Sequence, residues 1–440
     1  MANMIDLFKR NKSDVEYFLA LDIGTEFVKV LIFGVNIVGM KDNKKGKKGV
    51  VVGFGRQRQA LNQMQGGTVT NIDGVVETCR QAIEQAVQMA RVNPKRAIIG
   101  IAGEFVKGST TNFVYQRSNP DEQIDSVEIK NIIQKIQWKA FDRLRKRFAW
   151  ETGCPEIDIK LINALITEIR IDGYKVTSPL GFQGREVFLN MFNVYAPAVH
   201  LKAMETIASK LGLNLISIAA EPYALARSVC SEYFNANVGI DASLANSAIF
   251  IDIGGGTTDV ALVRYGGVEG IKSLALAGRS FTKRLSSDLG IGLFEAEEIK
   301  IKHAYQQLSS SVHQKIKGIL NKDTKVWMSG VELVLEEFNQ KMFFPPLILL
   351  CGGGSLLPDI KNILTTSSDY LTEKFPFSQK PHICFIQPRH IINISDQTGF
   401  LTGPENVAPM ALANLVLEIL NEDKKSLLPM LRRIVRTTRR

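Results

Sequence analysis

Three glycine-rich segments occur in this chain, each directly after a short apolar run. They are Leu21-Asp22-Ile23-Gly24-Thr25, Asp252-Ile253-Gly254-Gly255-Gly256-Thr257-Thr258-Asp259 and Cys351-Gly352-Gly353-Gly354-Ser355. The runs Tyr17 to Leu21, Ser247 to Ile251 and Leu347 to Leu350 read as buried strands. A strand ending in Asp-Ile-Gly brings bare backbone N–H groups and a hydroxyl up to a phosphate, and its carboxylate can hold a metal ion through water. Three consecutive glycines between two strands weaken a sheet unless a ligand needs the space. Two such turns facing each other can clamp a triphosphate, with the third lying along the nucleoside. The chain has no Gly-x-x-x-x-Gly-Lys-Ser/Thr loop and no convincing Gly-x-Gly-x-x-Gly after a first strand, so the other common nucleotide folds fit worse.

A length of 440 residues suits two to four subdomains. Cys79, Cys154, Cys230, Cys351 and Cys384 have no paired spacing, which favours isolated thiols over a disulfide framework or a metal site. No signal peptide is expected. The most apolar stretch, Met342 to Leu350, is short and contains Pro345 and Pro346, so no bilayer-spanning segment is expected. Of the net charge of +10, the basic residues Lys424, Lys425, Arg432, Arg433, Arg436, Arg439 and Arg440 supply +7 with no acid among them. The basic balance therefore describes a tail, and no nucleic-acid partner is expected for the body.

The first half reads as a strand pair (Phe18 to Leu21, Phe27 to Phe33), a charged turn at Lys41 to Gly49, a strand at Val50 to Gly53, a helix after Asp73, and a buried strand at Ala97 to Ile101. Residues 104–215 read as an inserted α+β module. Its parts are a helix over Ser126 to Phe148, strands over Leu161 to Ile171 and Glu186 to Tyr195, and a helix opened by Pro197. Ala219-Ala220-Glu221-Pro222 leads into a helix from Tyr223 to Glu232. The second half begins at Ser247 and has helices over Gly278 to Leu289 and Leu293 to Tyr305. A mostly helical stretch from Gln314 to Met342 is expected to break at Asn321-Lys322-Asp323, and helices follow over Pro358 to Thr366 and Glu405 to Leu420.

In their order and separation, the three loops resemble the ATP site of the actin, Hsp70 and sugar-kinase superfamily. With that resemblance, Asp22 and Asp252 are the candidate ligands of Mg²⁺, through water. Gly24, Thr25, Gly254, Gly255, Gly256, Thr257 and Thr258 are the candidate phosphate contacts of ATP, with Gly352, Gly353, Gly354 and Ser355 along the nucleoside. Lys29 fits either a phosphate neighbour or a surface position on its strand. Glu297 and Lys300 lie three apart on one helix face. They fit either a ribose and adenine contact or a surface pair worth a few tenths of a kcal/mol. Glu221 fits either a residue that orients an attacking water in a slow ATPase or a carboxylate favoured at a helix N-terminus.

At the C-terminus, Ser426 can cap a helix with Pro429 in its first turn. Leu427, Leu428, Leu431, Ile434 and Val435 share one face, and Arg432, Arg433 and Arg436 fall largely on the other. This is the pattern of a helix lying in an anionic membrane interface. A tail docked on the body is the alternative. The N-terminal Ile5, Leu7, Phe8, Lys9 and Arg10 form a smaller amphipathic piece.

Beyond the loops, several segments carry a more specific resemblance: Gly67-Thr68-Val69-Thr70-Asn71-Ile72-Asp73, Ile99-Gly100-Ile101-Ala102-Gly103, Asp172-Gly173-Tyr174, Ser178-Pro179-Leu180-Gly181-Phe182-Gln183-Gly184 and Ala277-Gly278. With these, nearly the whole chain resembles the FtsA family of bacterial cell division, membrane-attached actin homologues. The resemblance implies an α/β, actin/Hsp70-type ATPase fold of two RNase H-like halves with an FtsA-type 1C α+β insertion. It divides the chain into 1–103 (first part of 1A), 104–215 (1C), 216–246 (1A again), 247–290 (2A), 291–343 (2B), 344–403 (2A again), 404–420 (a helix returning to 1A) and 421–440 (linker and basic helix). It implies head-to-tail filaments with ATP and Mg²⁺ on the cytoplasmic face of the membrane, capture of FtsZ through 2B, and recruitment of other division proteins through 1C.

Three features depart from the family. The stretch between Ala304 and Met342 lacks the recognisable segment that binds the FtsZ tail, the linker before the terminal helix is short, and the Lys41 to Gly49 insertion is unusual. The related PilM scaffolds of type IV pilus assembly share the nucleotide loops but fit the Ser178 to Gly184 loop and the basic end less well. A small-molecule kinase would need a general base in an acceptor cleft, and none is evident. An Hsp70-type chaperone would need a substrate domain after the ATPase fold.

Overall fold

The first apolar run forms Glu16–Ile23 (β1), buried from Phe18 onward. It is followed by Phe27–Gly39 (β2), Lys45–Arg58 (β3), the short pair Met64–Gln65 (β4) and Thr68–Val69 (β5), Ile72–Ala90 (α1) and Arg96–Ile101 (β6). The structure, a computed structural model, describes residues 15–39, 45–154, 157–229, 246–338, 342–421, 427 and 431. The side chain of Asn71 caps α1 by accepting from the Gly74 N–H, and Asp73 lies in the first turn as a favourable N-terminal charge. Lys45 to Gly49, expected in a turn, lies within β3 and pairs with Gly39 back to Val35.

The insertion comprises Lys107–Gln116 (β7), Ser126–Thr152 (α2), Ile159–Ile171 (β8), Tyr174–Lys175 (β9) and Glu186–Pro197 (β10). The chain then returns through Ala198–Lys210 (α3), Asn214–Ala220 (β11) and Glu221–Ser228 (α4). The expected end of the insertion at residue 215 is corrected to Pro197. Leu201, Met204, Ile207 and Ala208 of α3 belong to the core of the first half, and β11 pairs in parallel with β6.

The second half repeats the plan with Ala248–Ile253 (β12), Thr258–Arg264 (β13), Gly267–Leu274 (β14), Gly278–Leu289 (α5), Leu293–Ala304 (α6), Ser310–Phe338 (α7), Leu347–Cys351 (β15), Pro358–Thr366 (α8), Ser368–Lys374 (α9) and His382–Phe385 (β16). Ile394–Asp396 (β17) and Val407–Asn421 (α10) close the described fold. The expected break at Asn321 to Asp323 is absent, and α7 is continuous. Leu320, Thr324 and Trp327 are buried at helical spacing, and Asp323 is paired with Arg284 at 2.9 Å.

One sheet runs β11-β6-β1-β2-β3-β17, and the other runs β16-β15-β12-β13-β14-β7-β10-β8-β9. In each half an antiparallel three-strand meander is continued by two parallel strands, β6 and β11 beside β1, and β15 and β16 beside β12. The insertion leaves the first half after β6, yet its sheet is hydrogen-bonded to the second half. Gly270 and Ile271 of β14 pair with Ser109 and Gly108 of β7, and Thr110 Oγ1 donates to the Glu269 carbonyl at 2.9 Å. Buried almost all round, α10 packs on β1, β2, β3 and α4, which returns the chain to the first half.

The tail differs from the membrane-facing expectation at its two described residues. Leu427 and Leu431 are buried in one cluster with Ile129, Ile133, Ile169 and Ile171, and the Leu431 N–H donates to the Leu427 carbonyl at 3.0 Å. The physical reason is incomplete coverage. α2 packs chiefly on β7 and β10, and the two leucines complete the apolar layer over β8. Leu428, Arg432, Arg433, Ile434, Val435 and Arg436 lie outside the described residues, as do Ile5 to Arg10, Lys41 to Lys44 and Cys230.

Candidate nucleotide site between the two halves

The first two glycine segments fold into the same turn. At the end of β1 the Gly24 N–H donates to the Phe27 carbonyl at 3.1 Å, and at the end of β12 the Gly254 N–H donates to the Thr257 carbonyl at 2.9 Å. The turns face each other across the junction of the halves and pack without a gap. A Cβ at Gly255 would run into Glu26, and one at Gly256 into Thr25. The third loop follows β15, where Gly352 has φ +82, in the left-handed region that favours glycine. A Cβ there would meet the Asp252 carboxylate.

These loops line a cavity of ≈560 Å³. At its polar end stand Asp22, Glu221, Asp252 and Asp259, with Lys29 as the nearest cation. Lys29 Nζ donates to the Glu405 carbonyl at 2.6 Å and lies 3.4 Å from Asp22 Oδ2, so it points into the cleft rather than to the surface. Burial is the first cause that raises the Glu221 carboxyl well above its usual range, followed by Asp22, Asp252 and Asp259. Burial, and then Asp259, pushes Asp252 up to about 7. Asp259 is also raised, by burial, although its carboxylate accepts from Thr257 Oγ1 at 3.0 Å and from the Ser273 hydroxyl. Three buried aspartates and the partly buried Glu221, with Lys29 as the nearby cation, form a site that a further cation would relieve.

Glu297 and Lys300 line the opposite wall and are buried, which settles their role against a surface pair. Lys300 Nζ lies 2.6 Å from Glu297 Oε2 and donates to the Gly278 carbonyl and to Thr282 Oγ1, both at 2.9 Å. Beyond them Ile301, Ala304, Tyr305, Leu356 and Leu357 give an apolar end with room for a planar base. A second cavity of ≈570 Å³ adjoins this end between α7 and α8. It shares Ala304 and Leu356 but has none of the glycine turns.

Two expected contacts turn away from the cavity. Thr258 is fully buried; its hydroxyl donates to the Leu276 carbonyl at 2.6 Å and accepts from Trp327 Nε1 at 3.0 Å. As β13 starts, alternation sends Thr257 and Asp259 to the cleft and Thr258 to the core. Ser355 is likewise buried, and its hydroxyl closes the third turn on the Gly352 carbonyl at 2.7 Å. Conversely, the sequence reading missed Asp259, Glu405 and Arg279. Strand alternation from Thr257 was the available signal for Asp259. Nothing local marks Arg279, which reaches across the junction to Glu26 Oε1 at 2.6 Å, the Met64 carbonyl at 2.9 Å and the Thr25 carbonyl at 3.1 Å.

The residues present fit a magnesium nucleotide. The three glycine loops line the cavity, the carboxylates at its polar end call for a cation, and the buried Glu405 Oε2 has no hydrogen-bond partner among the described residues. Among the described residues no group of three or more His, Cys, Asp or Glu side chains converges as a metal cage. Mg²⁺ characteristically takes one or two carboxylates together with phosphate oxygens and water.

A family model described as "Cell division protein FtsA" matches residues 249–406. A cell division protein FtsA of Pseudomonas aeruginosa is 26% identical over 287 residues, which is 65% of this chain and 60% of that protein. Those of Bacillus subtilis and Streptococcus pneumoniae are 21% and 22% identical over 403 and 421 residues, or 86% and 90% of this chain and 82% and 83% of theirs. The chain is similar to these cell division proteins over most of its length.

Among solved structures, the "PilM-PilN type IV pilus biogenesis complex" aligns with a TM-score of 0.61 at 17% identity, covering 91% of this chain and 98% of that one. That likeness is one of fold. The chain has the actin-like ATPase fold, with the paired glycine turns at its centre. No helix among its described residues is long and apolar enough to cross a membrane.

Proposed function

We propose that this chain is a member of the FtsA family and an ATP-binding scaffold of bacterial cell division. In this reading it polymerises head to tail on the cytoplasmic face of the membrane and tethers FtsZ filaments. The observation that carries the reading is the pair of matching turns at Gly24 and Gly254, closed on one another around a cavity rich in carboxylates. Gly24, Thr25, Gly254 to Thr257 and Lys29 would hold the phosphates. Asp22 and Asp252 would hold Mg²⁺ through water. Glu297, Lys300 and Gly352 to Gly354 would hold the nucleoside. Bound Mg²⁺ would offset the carboxylate charge and screen the phosphates. Glu221, whose carboxyl is raised well above its usual range by desolvation, faces these groups and would orient a water for slow hydrolysis. Nucleotide at the junction of the halves would set their relative angle and so the geometry of a head-to-tail contact. Electron microscopy of the full chain on anionic liposomes tests this: filaments with Mg-ATP and none without nucleotide support it, and no filaments in either condition contradicts it.

A second reading is favoured by one observation. Leu427 and Leu431, the two described residues of the tail, are buried against the insertion. A scaffold of the PilM kind, recruited by a membrane-protein partner rather than by its own tail, would be built this way. Liposome flotation of the full chain and of a variant with Arg432, Arg433 and Arg436 all changed to Glu separates the two. Flotation of the first alone supports tail anchoring, and failure of both supports partner recruitment.

A further inference from the structure

The insertion helix α2 carries an outward face that the nucleotide site does not use. Its inner side packs Ile129, Ile132, Ile136, Ala140, Leu144 and Phe148. Its outer side exposes Trp138 at 72% and Trp150 at 85%. Both are unusual for this chain, whose third tryptophan, Trp327, is 1% exposed and hydrogen-bonded. Exposed basic residues surround the two rings: Lys130, Lys135, Lys139, Arg143, Arg145 and Lys146. Among the described residues, Lys130, Lys135, Lys139 and Arg143 make no ion pair. The acids of the helix are already engaged, Glu128 by Arg117 at 2.8 Å, Asp142 by Lys146 at 2.7 Å, and Glu151 by Arg147 at 2.8 Å. Leaving two indoles in water has no folding benefit, whereas an indole at the headgroup level of a bilayer satisfies both its apolar body and its N–H.

We infer that the outer face of α2, with Trp138 and Trp150 as its aromatic anchors, is a binding surface for an anionic lipid bilayer. The two rings stand twelve positions apart, about 18 Å along the axis and about 120° around it, so they bracket a strip that carries Lys135, Lys139 and Lys146; Lys135 and Lys139 lean over the Tyr115 and Phe113 rings and form no ion pair among the described residues. Each basic residue held near an anionic surface adds roughly 1 kcal/mol. A convex helix face of this kind offers no groove in which bases could stack, which favours a flat lipid surface over a nucleic acid. Leu427 and Leu431 lie on the same side of the insertion sheet but turn inward, whereas Trp138 and Trp150 of α2 point outward. The inference extends the membrane reading above to a second surface, and it does not require the tail to leave the body.

The test uses the intrinsic fluorescence of the full chain, since two of its three tryptophans are the residues in question. The chain, and its Arg432→Glu/Arg433→Glu/Arg436→Glu variant, are mixed with phosphatidylglycerol vesicles containing brominated acyl chains, with phosphatidylcholine vesicles, and with duplex DNA. Expected are a blue shift and at least a twofold loss of emission with phosphatidylglycerol, retained in the tail variant. In that background, Trp138→Ser/Trp150→Ser and, separately, Lys135→Glu/Lys139→Glu should weaken vesicle partitioning at least tenfold with unchanged melting curves. If the chain floats with the vesicles while its emission stays unquenched, the α2 inference falls and tail anchoring stands. If it neither floats nor is quenched, both fall. An emission change with DNA alone, or equal binding to phosphatidylcholine, overturns the anionic-lipid assignment.

Discussion

Arg279 Nε lies 2.6 Å from Glu26 Oε1, an ion pair that crosses from the second half of the molecule to the first beside the facing glycine turns. Both side chains are largely buried, and the same guanidinium holds the Thr25 and Met64 carbonyls. Removing one partner of such a pair leaves the other charge poorly solvated. Arg279→Ala should destabilise the nucleotide-free chain by about 2 kcal/mol in urea unfolding. A double-mutant cycle with Glu26→Gln should give a coupling of 0.5 kcal/mol or more, on the order expected for residues in contact. Additive effects would mean that the pair does not join the halves.

The acid cluster predicts an unusual pH dependence. Asp252 is raised in the folded chain to about 7, from an unfolded value near 3.9. The native state therefore binds more protons than the unfolded state between those values, and this group makes stability fall as pH rises from about 4 to 7. Asp252→Asn should raise the stability of the nucleotide-free chain at pH 8 by roughly 2–4 kcal/mol, with the gain vanishing near pH 4. Glu221 and Asp259, also raised, act in the same direction. Paired thermal melts of wild type and variant across this range check it, and a gain independent of pH would count against the shifted carboxylate.

Thr257 and Thr258 are neighbours with opposite fates. Thr258→Val would leave the Leu276 carbonyl and the Trp327 indole N–H without their partner. That should cost about 1–3 kcal/mol of stability with nucleotide affinity unchanged. Thr257→Val should weaken nucleotide binding severalfold with a smaller loss of stability. Urea melts and a nucleotide titration on both variants distinguish the roles.

The docked tail is testable without any membrane. Leu431→Asp would place a carboxylate among Ile129, Ile133 and Ile171, and should release the tail. Amide exchange in β8, measured by mass spectrometry, should then accelerate about tenfold, equivalent to about 1.4 kcal/mol of lost local protection. Unchanged exchange would mean that the leucines do not protect the insertion.

The parts of this architecture legible in the sequence are local ones. Gly24, Gly254 and Gly352 each follow an apolar strand, so their turns were readable from adjacent residues, and the helices over Gly278 to Leu289 and Pro358 to Thr366 end where the structure ends them. The end of the insertion was misplaced because α3 and β11 have ordinary helix and strand patterns. Only their packing on β6 and the first core assigns them to the first half. The continuation of the second sheet into the insertion rests on two residue pairs between β14 and β7, and no periodicity announces it. Arg279 was missed for the same reason, since its partners lie more than 200 positions away in sequence. Lys29 and the Glu297–Lys300 pair had two readings each until the cleft showed which way they point.

The central claim is that the facing turns at Gly24 and Gly254 bind a magnesium nucleotide. The most direct measurement is a fluorescence titration of the full chain with a fluorescent ATP analogue, with and without Mg²⁺, beside the Thr257→Lys variant. The account predicts saturable, Mg²⁺-strengthened binding by the wild type and at least a tenfold loss in the variant, with the circular-dichroism spectrum preserved. Equal affinity in both proteins, or no saturable binding by the wild type, would contradict it.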